Sequence, residues 1–224
     1  MFITPTSLSL DINTKLLIKG NGTPSVMGGS PAIILDEVGN NININGAVNI
    51  STTVSRYDIN SIWFNSNDGY IATDSSSIYT LNTSDFTIEF WLYANSTITG
   101  NVIVSNVIGS TYTTNDWKMI FNNNNVQLSI FNSGLTLQSL NHITTNTWYH
   151  IAIVREGSLF TLFVNGVVNS TFTYSGSVDN GVSNIIKLGG ITAGTTMDGY
   201  IDDFRLSNIA RYHTNFTPPT SDYS

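Results

Sequence analysis

The sequence contains no cysteine, and this absence removes several classes of site at once. Disulfide frameworks, thiolate zinc sites and cysteine nucleophiles all require a thiol. A chain of 224 residues can bury roughly 70% of the surface of its unfolded form, so it needs neither a disulfide nor a metal to supplement its core. The sequence therefore predicts a domain held together by packing alone.

Charge is also scarce, since charged residues make up 10% of the chain and hydrophobic residues 41%. Asn, Ser and Thr supply the polar surface instead, and these residue types favour turns over helix interiors. Only eight side chains are Lys or Arg and the net charge is −7, so no basic stripe is available to neutralise phosphates. We therefore expect no nucleic-acid partner.

Long apolar runs are missing too, and none approaches the length of a membrane-spanning helix. Residues 1–11 show neither the basic region nor the apolar stretch of a secretory signal. We therefore expect no membrane insertion and no leader. A protein of this kind would leave a cell by lysis, within a larger particle, or as a piece of a longer chain.

Short strands separated by turn residues dominate the sequence from Asp85 onward. Apolar and polar or aromatic side chains alternate over residues 86–93, which is the period of a pleated strand. The Asn165-Gly166 pair between two apolar runs predicts a type I′ hairpin turn, because these residues tolerate positive φ angles. The pattern predicts an all-β fold, a two-sheet antiparallel β-sandwich with almost no helix.

The first part of the chain is less periodic. Strands are predicted at residues 15–19, 32–35 and 61–64, and residues 40–49 alternate in the manner of one half-buried strand. We expect a single domain over residues 1–217 and a frayed C-terminal tail over residues 218–224, because Pro218 and Pro219 interrupt regular structure.

Several segments together carry a family resemblance: residues 61–64, 85–91, 147–152, 165–166 and 198–208. Read in order, they resemble laminin-G-like, concanavalin A-like jelly-roll domains, and in particular the lectin-type modules common in bacteriophage virion and tail-fibre proteins. The resemblance covers most of the chain and implies a concanavalin A-like jelly roll. It does not by itself imply one function, because this fold hosts lectins, enzymes, adhesion modules and inert spacers.

The resemblance also implies a structural calcium ion, which many relatives bind at the rim of the sandwich. Hard Ca²⁺ takes six to eight oxygen ligands. Val38 stands where the family has serine, and Asp202 and Asp203 have an alternative, which is to pair with Arg205 or Lys187 in a charge cluster. The residues that match the family's calcium ligands are Asp36, Gly39, Asn40 and Asp202.

The families that this sequence resembles include glucanases, which need two closely placed carboxylates. The three glutamates, Glu37, Glu89 and Glu156, are isolated from one another in the sequence. We therefore predict that the chain is not an enzyme and that it has no catalytic residues.

Aromatic residues admit two interpretations. Trp148, Tyr149 and His150 offer a stacking platform for a sugar, but aromatics at the start of a sandwich strand more often serve packing, which we favour here. The same choice applies to the other three tryptophans, with sugar contact kept open for Trp117. These are Trp63, Trp91 and Trp117.

The leading expectation is a non-enzymatic, virion-associated module that decorates a capsid or forms part of a fibre, with weak adhesion to glycans. Its partners would be other virion proteins in a homo-oligomer or symmetric array, and repetition would convert weak contacts into avidity. It would be located in the virion, assembled in the host cytoplasm. The alternative is an extracellular lectin or adhesin module of a secreted bacterial protein, with a cell-surface glycan as its partner. A more remote alternative is a divergent glycanase.

Overall fold

The computed structural model describes residues 11–24, 32–57, 60–66, 68–108, 112–131, 133–134, 136–179 and 184–223. No helix in this part of the chain is long and apolar enough to cross a membrane. Its one helical element is a short 3-10 turn, Ser77–Tyr79. The strands are β1 (Thr14–Ile18), β2 (Ile42–Asn45), β3 (Val48–Ser51), β4 (Ser61–Asn65), β5 (Tyr70–Thr73), β6 (Phe86–Ala94), β7 (Val102–Ser105), β8 (Trp117–Asn122), β9 (Asn125–Ile130), β10 (Thr136–Gln138), β11 (Trp148–Glu156), β12 (Leu159–Val164), β13 (Val167–Thr173), β14 (Lys187–Leu188) and β15 (Asp198–Ser207).

Two antiparallel sheets enclose one core. The eight-stranded sheet has the order β13-β12-β11-β6-β15-β4-β3, with β1 also paired to β15, and the seven-stranded sheet has the order β10-β9-β8-β7-β14-β5-β2. Both sheets contribute to a single buried cluster, in which Phe90 and Phe204 of the first sheet accompany Trp117 and Met119 of the second. The predicted all-β, two-sheet sandwich is confirmed.

Strand β6, at the centre of the eight-stranded sheet, shows the predicted alternation. The hairpin between β12 and β13 is also confirmed, with φ angles of 52° at Asn165 and 74° at Gly166. Both positive angles belong to a type I′ turn, whose twist matches that of the flanking strands. The inner face of β6 buries Phe86, Ile88, Phe90 and Leu92.

The less periodic first part of the chain differs from the prediction in two places. Residues 32–35 do not form a strand, because Ile33 makes only an isolated bridge to Thr23. The expected single strand over residues 40–49 is divided into β2 and β3, which lie in different sheets. Gly46, with a φ angle of 67°, lies in the two-residue link between them, where its freedom from a side chain allows the sharp change of direction.

The C-terminal segment is packed, whereas the sequence predicts a frayed tail. Residues 209–223, which we call the strap, run across the outer face of the eight-stranded sheet after β15 ends. Tyr212 and Phe216 of the strap pack on Ala152 and Phe163 of that face. Tyr223 is 5% exposed. The strap is therefore a structural part of the sandwich.

Candidate functional site

A row of aromatic side chains crosses the outer face of the eight-stranded sheet beside the strap. The register of β4, β15, β6 and β11 places one aromatic residue of each strand directly opposite the next. Their sequence neighbours point into the core, so these side chains face outward and are only half-buried. The members of this aromatic row are Trp63, Tyr200, Tyr93 and Trp148.

The rings of the row are in contact at its centre. The Tyr93 ring centroid lies 5.4 Å from that of Trp148 and 5.5 Å from that of Tyr200. The ring planes are inclined by 58° and 80° respectively, so the row forms a stepped surface. It is a half-buried aromatic strip four strands wide, and aromatic surface of this kind that reaches solvent is typical of interaction sites.

A second row, of polar side chains, runs beside the first. Side chains two residues apart on a strand share a face, so Asn65, Asp198 and Asn95 flank Trp63, Tyr200 and Tyr93. Asp198 lies opposite Asn65 in register, and the Asn95 amide donates to Asp198 Oδ1 at 2.9 Å. Amide and carboxylate groups thus border the aromatic surface along one side.

A cavity of about 380 Å³ opens at the other side of the row, where it meets the strap. Trp148 belongs both to the aromatic row and to the wall of this cavity. Arg56 is its charged lining residue, and the guanidinium carbon lies 4.0 Å from the centroid of the Trp91 ring. Asn165 of the hairpin and residues 217–220 of the strap complete the lining.

The part of the outer face beneath the strap, which we call the covered half, is centred on Glu89. Oε1 of Glu89 accepts hydrogen bonds from Arg205 at 2.9 and 2.7 Å. Oε2 accepts the hydroxyls of Tyr212 at 2.7 Å and Tyr223 at 2.9 Å, and lies 3.3 Å from Nε2 of His150. Burial by itself raises the pKa of Glu89, but the hydrogen bond from His150 and the charge of Arg205 outweigh it and lower the pKa to about 2.

Comparison with known proteins gives the family. A laminin G family profile, described as the concanavalin A-like lectin/glucanases superfamily, matches residues 65–215, more than half of the chain. The chain belongs to this superfamily. No curated protein matches the sequence.

Solved structures share the fold of this superfamily member at low sequence identity. The binding domain of Paraclostridial Mosquitocidal Protein 1 aligns with a TM-score of 0.66 and 19% identity, over 89% of this chain and 50% of its own. The binding domain of botulinum neurotoxin serotype G aligns with a TM-score of 0.64 and 17% identity, over 89% and 49%. Domain 4 of AbnA, an extracellular arabinanase from Geobacillus stearothermophilus solved with arabinotriose, aligns with a TM-score of 0.61 and 15% identity, over 78% and 86%. The chain spans about half the length of the two toxin domains.

Three of the four residues that match the superfamily's calcium ligands lie together in one loop. Oδ2 of Asp36 accepts the main-chain N–H of Asn40 at 2.8 Å and its side-chain amide at 2.5 Å. Oδ1 of Asp36 accepts the N–H of Leu17 at 2.7 Å. Gly39, which donates to the Asp36 carbonyl oxygen at 3.0 Å, belongs to the same loop. Both carboxylate oxygens of Asp36 are therefore engaged by N–H donors.

Asp202 lies apart from that loop. Ile18 of β1 pairs with Phe204 of β15 on one side and bridges to Asp36 on the other, so β1 stands between the two carboxylates. Within the described ranges, no three His, Cys, Asp or Glu side chains are grouped to hold a metal. The donor set as arranged does not fit calcium, and the ion stays a prediction of the resemblance.

The two cations that the sequence offers as alternative partners of Asp202 and Asp203 have other partners. Arg205 binds Glu89 because the two residues are direct register partners on β15 and β6 and both side chains point out from the sheet. Lys187 is in the other sheet and donates to the carbonyl oxygen of Ile191 at 3.2 Å. Asp202 instead accepts the main-chain N–H of Arg56 at 3.0 Å.

The glutamates of this superfamily member do not form a glucanase pair in the part of the chain that the structure describes. Glu89 lies under the strap with no exposed surface. Glu37 accepts the amide of Asn21 at 2.7 Å, and Glu156 lies 3.0 Å from Nδ1 of His213. Each glutamate has its own separate partners.

The tryptophans divide in a way that the sequence does not predict. Trp117, for which sugar contact was kept open, is 1% exposed in the core, and Trp91 is 4% exposed. Trp148 and Trp63 instead face outward in the aromatic row. Sequence reasoning missed Tyr93, Tyr200 and Arg56 as site residues. The alternation in β6 places Tyr93 on the outer face, but only the register places it beside Trp148 and Tyr200.

Proposed function

We propose that the chain is a carbohydrate-binding module that acts in adhesion and has no catalytic activity, and that the aromatic row is its binding platform. The aromatic row with its polar border is the observation that carries this proposal. Sugar rings present apolar C–H faces that pack on aromatic rings, while their hydroxyls need hydrogen-bonding partners such as amides and carboxylates. The row and the border of Asn65, Asp198 and Asn95 supply these two kinds of contact side by side.

The fold neighbours support the same proposal. One is an arabinanase domain whose structure was solved with arabinotriose, and others are described as binding domains of toxins. The extracellular adhesin alternative is therefore better supported than the virion expectation. The virion setting, its partners and its symmetric arrays stay predictions. Mass spectrometry of purified particles that contain the chain at fixed stoichiometry would test them.

The non-catalytic part of the proposal rests on the carboxylates of the outer face. A glycosidase needs two carboxyl groups about 5–10 Å apart on either side of the scissile bond. Asp198 borders the row and is bound to Asn95, whereas Glu89 is sealed beneath the strap. We expect no hydrolysis of any oligosaccharide that the module binds, which chromatography of the incubated ligand would check.

The platform is tested by removing its rings one at a time. Trp148→Ala and Tyr93→Ala should each weaken binding of a glycan selected from an array by about tenfold, because each removes a stacking surface. Isothermal titration calorimetry measures the loss, and thermal melting verifies that the variants fold. Phe131→Ala is the matched control, since Phe131 is 43% exposed and lies after β9 in the other sheet. Unchanged affinity in both row variants would contradict the proposal.

A further inference from the structure

The cavity beside the aromatic row contains an arginine that differs from the other three. Arg205 and Arg211 each bind a carboxylate, and Arg155 donates to main-chain carbonyl oxygens of three residues. The guanidinium of Arg56 stacks on Trp91 and on Tyr57, with its central carbon 4.0 and 4.7 Å from the ring centroids. Among the described residues it forms no ion pair with a carboxylate. The cavity is therefore lined by a fixed positive charge that has no ion-pair partner within the described ranges.

The surroundings of the cavity are also rich in hydrogen-bond donors. Nε of Arg56 and the indole N–H of Trp91 are buried and have no acceptor among the described residues. The side-chain oxygen of Asn165 accepts the N–H of His150 at 2.9 Å, which directs the Asn165 amide nitrogen away from that bond. Buried donors without acceptors are costly, and this place in the protein is therefore short of acceptor groups.

The geometry around Arg56 is fixed by contacts on two sides. Its main-chain N–H donates to Asp202 at the point where β15 exchanges β4 for β1 as its neighbour. The next residue, Tyr57, donates its hydroxyl to the carbonyl oxygen of Pro219 in the strap. The cavity is thus built between a sheet irregularity and the strap, with Arg56 held in place before any ligand arrives.

The two sides of the aromatic row differ in charge. Asp198 follows the row on one side, whereas Arg56 and Trp91 lie on the other. A sugar with an acidic group would be repelled at the first side and attracted at the second. The two sides of the row therefore carry opposite charges, and this difference would not affect the binding of a neutral oligosaccharide.

We propose that the cavity beside Trp148 binds the carboxylate of an acidic sugar, such as a uronic or sialic acid, with Arg56 as its charged partner. This inference rests on the proposed glycan-binding function and adds the class of ligand. The sugar ring packs on Trp148, and the carboxylate lies against the guanidinium and the Asn165 amide. Planar guanidinium groups are well suited to carboxylates, because they donate parallel hydrogen bonds.

The test compares sugars that differ only in the charge of their carboxyl groups. Tri-galacturonic acid is compared with its methyl ester, and sialyllactose with the methyl ester of its sialic acid, by titration calorimetry of the whole chain at low salt. The pairs also distinguish a uronic acid from a sialic acid as the source of the carboxylate. The wild type should bind the acidic member of at least one pair about tenfold more tightly, and this preference should decrease in high salt.

Variants then assign the preference to one side chain. Arg56→Gln should abolish the difference in affinity between the acidic sugar and its neutral partner, while Arg56→Lys should keep part of the preference. Lys118→Gln is the matched control, because Lys118 is stacked on Tyr112 at 4.5 Å in the seven-stranded sheet. Thermal melting checks folding, and the comparison of charged and neutral sugars on the wild type needs no variant.

The outcomes separate this inference from the proposed function. Equal binding of acidic and neutral partners by the wild type, or a preference that survives in Arg56→Gln, would overturn the acidic-sugar inference and leave the glycan platform standing. A wild-type protein that binds no saccharide on a broad array of neutral and acidic glycans would overturn both.

Discussion

The two halves of one sheet face have opposite characters. In the covered half, Glu89 and His150 are fully buried and bonded to the strap. The open half is the part of the same face that carries the aromatic row. There Tyr93, four residues from Glu89 on β6, and Trp148, two residues from His150 on β11, are half-buried and reach solvent. Both halves lie on the same strands, so the strand preferences of these segments cannot explain why one half is buried and the other reaches solvent. Whether an outward residue supports the fold or is available to a ligand is decided by where the strap lies.

Among changes to the covered half, substitution of Glu89 should have the largest effect on stability. Glu89→Gln leaves the buried end of Arg205 without its counter-charge, and we expect unfolding free energy to fall by about 3–5 kcal/mol. Chemical denaturation measures the loss, and Glu156→Gln is the control, because Glu156 is exposed. Glycan binding by the folded fraction should be unchanged. A loss below about 1 kcal/mol would show that the covered half is not held by this carboxylate.

The low pKa of Glu89 gives this prediction a pH dependence. The folded-state value is below the unfolded one, so the stabilisation is present above the unfolded pKa and is lost as pH falls from about 4.5 towards 2. The acid limb of the stability profile should therefore be flatter in Glu89→Gln than in the wild type.

Shortening the strap should have the next largest effect. A chain ended after Thr217 loses the buried ring of Tyr223, its bond to Glu89 and the ion pair of Asp222 with Lys19. We expect a loss of about 3 kcal/mol from the removed apolar area and hydrogen bond. Because Pro218 and Pro219 also line the cavity, selectivity for acidic sugars should decrease as well. Unchanged stability would instead support the frayed tail that the sequence predicts.

The smallest effect should come from Asp203, at the bulge in β15. Burial, together with the neighbouring charge of Asp202, raises the pKa of Asp203 to about 7. The folded protein then holds a proton that the unfolded chain releases, so stability should fall as pH rises from about 4 to 7. Asp203→Asn should remove this loss and stabilise the protein by about 2 kcal/mol near pH 8, with little change near pH 4.

Asparagine suits this position, because the φ angle of Asp203 is 49° and Asn tolerates the left-handed region. Thermal melting at the two pH values measures the difference. A variant that is less stable than the wild type at both would contradict the assignment of Asp203 as a strained, buried acid.

The sequence predicts the sandwich because its signals are local. Alternation over residues 86–93 and the Asn165-Gly166 turn depend only on neighbours along the chain. The site depends on register between strands distant in sequence: Tyr93 and Tyr200 are 107 residues apart (200 minus 93) and yet lie in direct contact. The sequence allows two interpretations of Trp148, as a stacking platform for a sugar or as a packing residue, and does not decide between them. The burial of Trp91 and Trp117 cannot be predicted from the sequence, because it depends on which distant segments pack over them.

The contact between the strap and β1 has a mechanical consequence. Thr14 and Ser207 pair at one end of the antiparallel strands β1 and β15. Tension applied to those two residues would break the hydrogen bonds between the strands one after another. The strap carries the chain back to the opposite end of β1, where Asp222 binds Lys19 at 2.9 Å. Tension between Asp11 and Tyr223 would therefore load the bonds of the strap together.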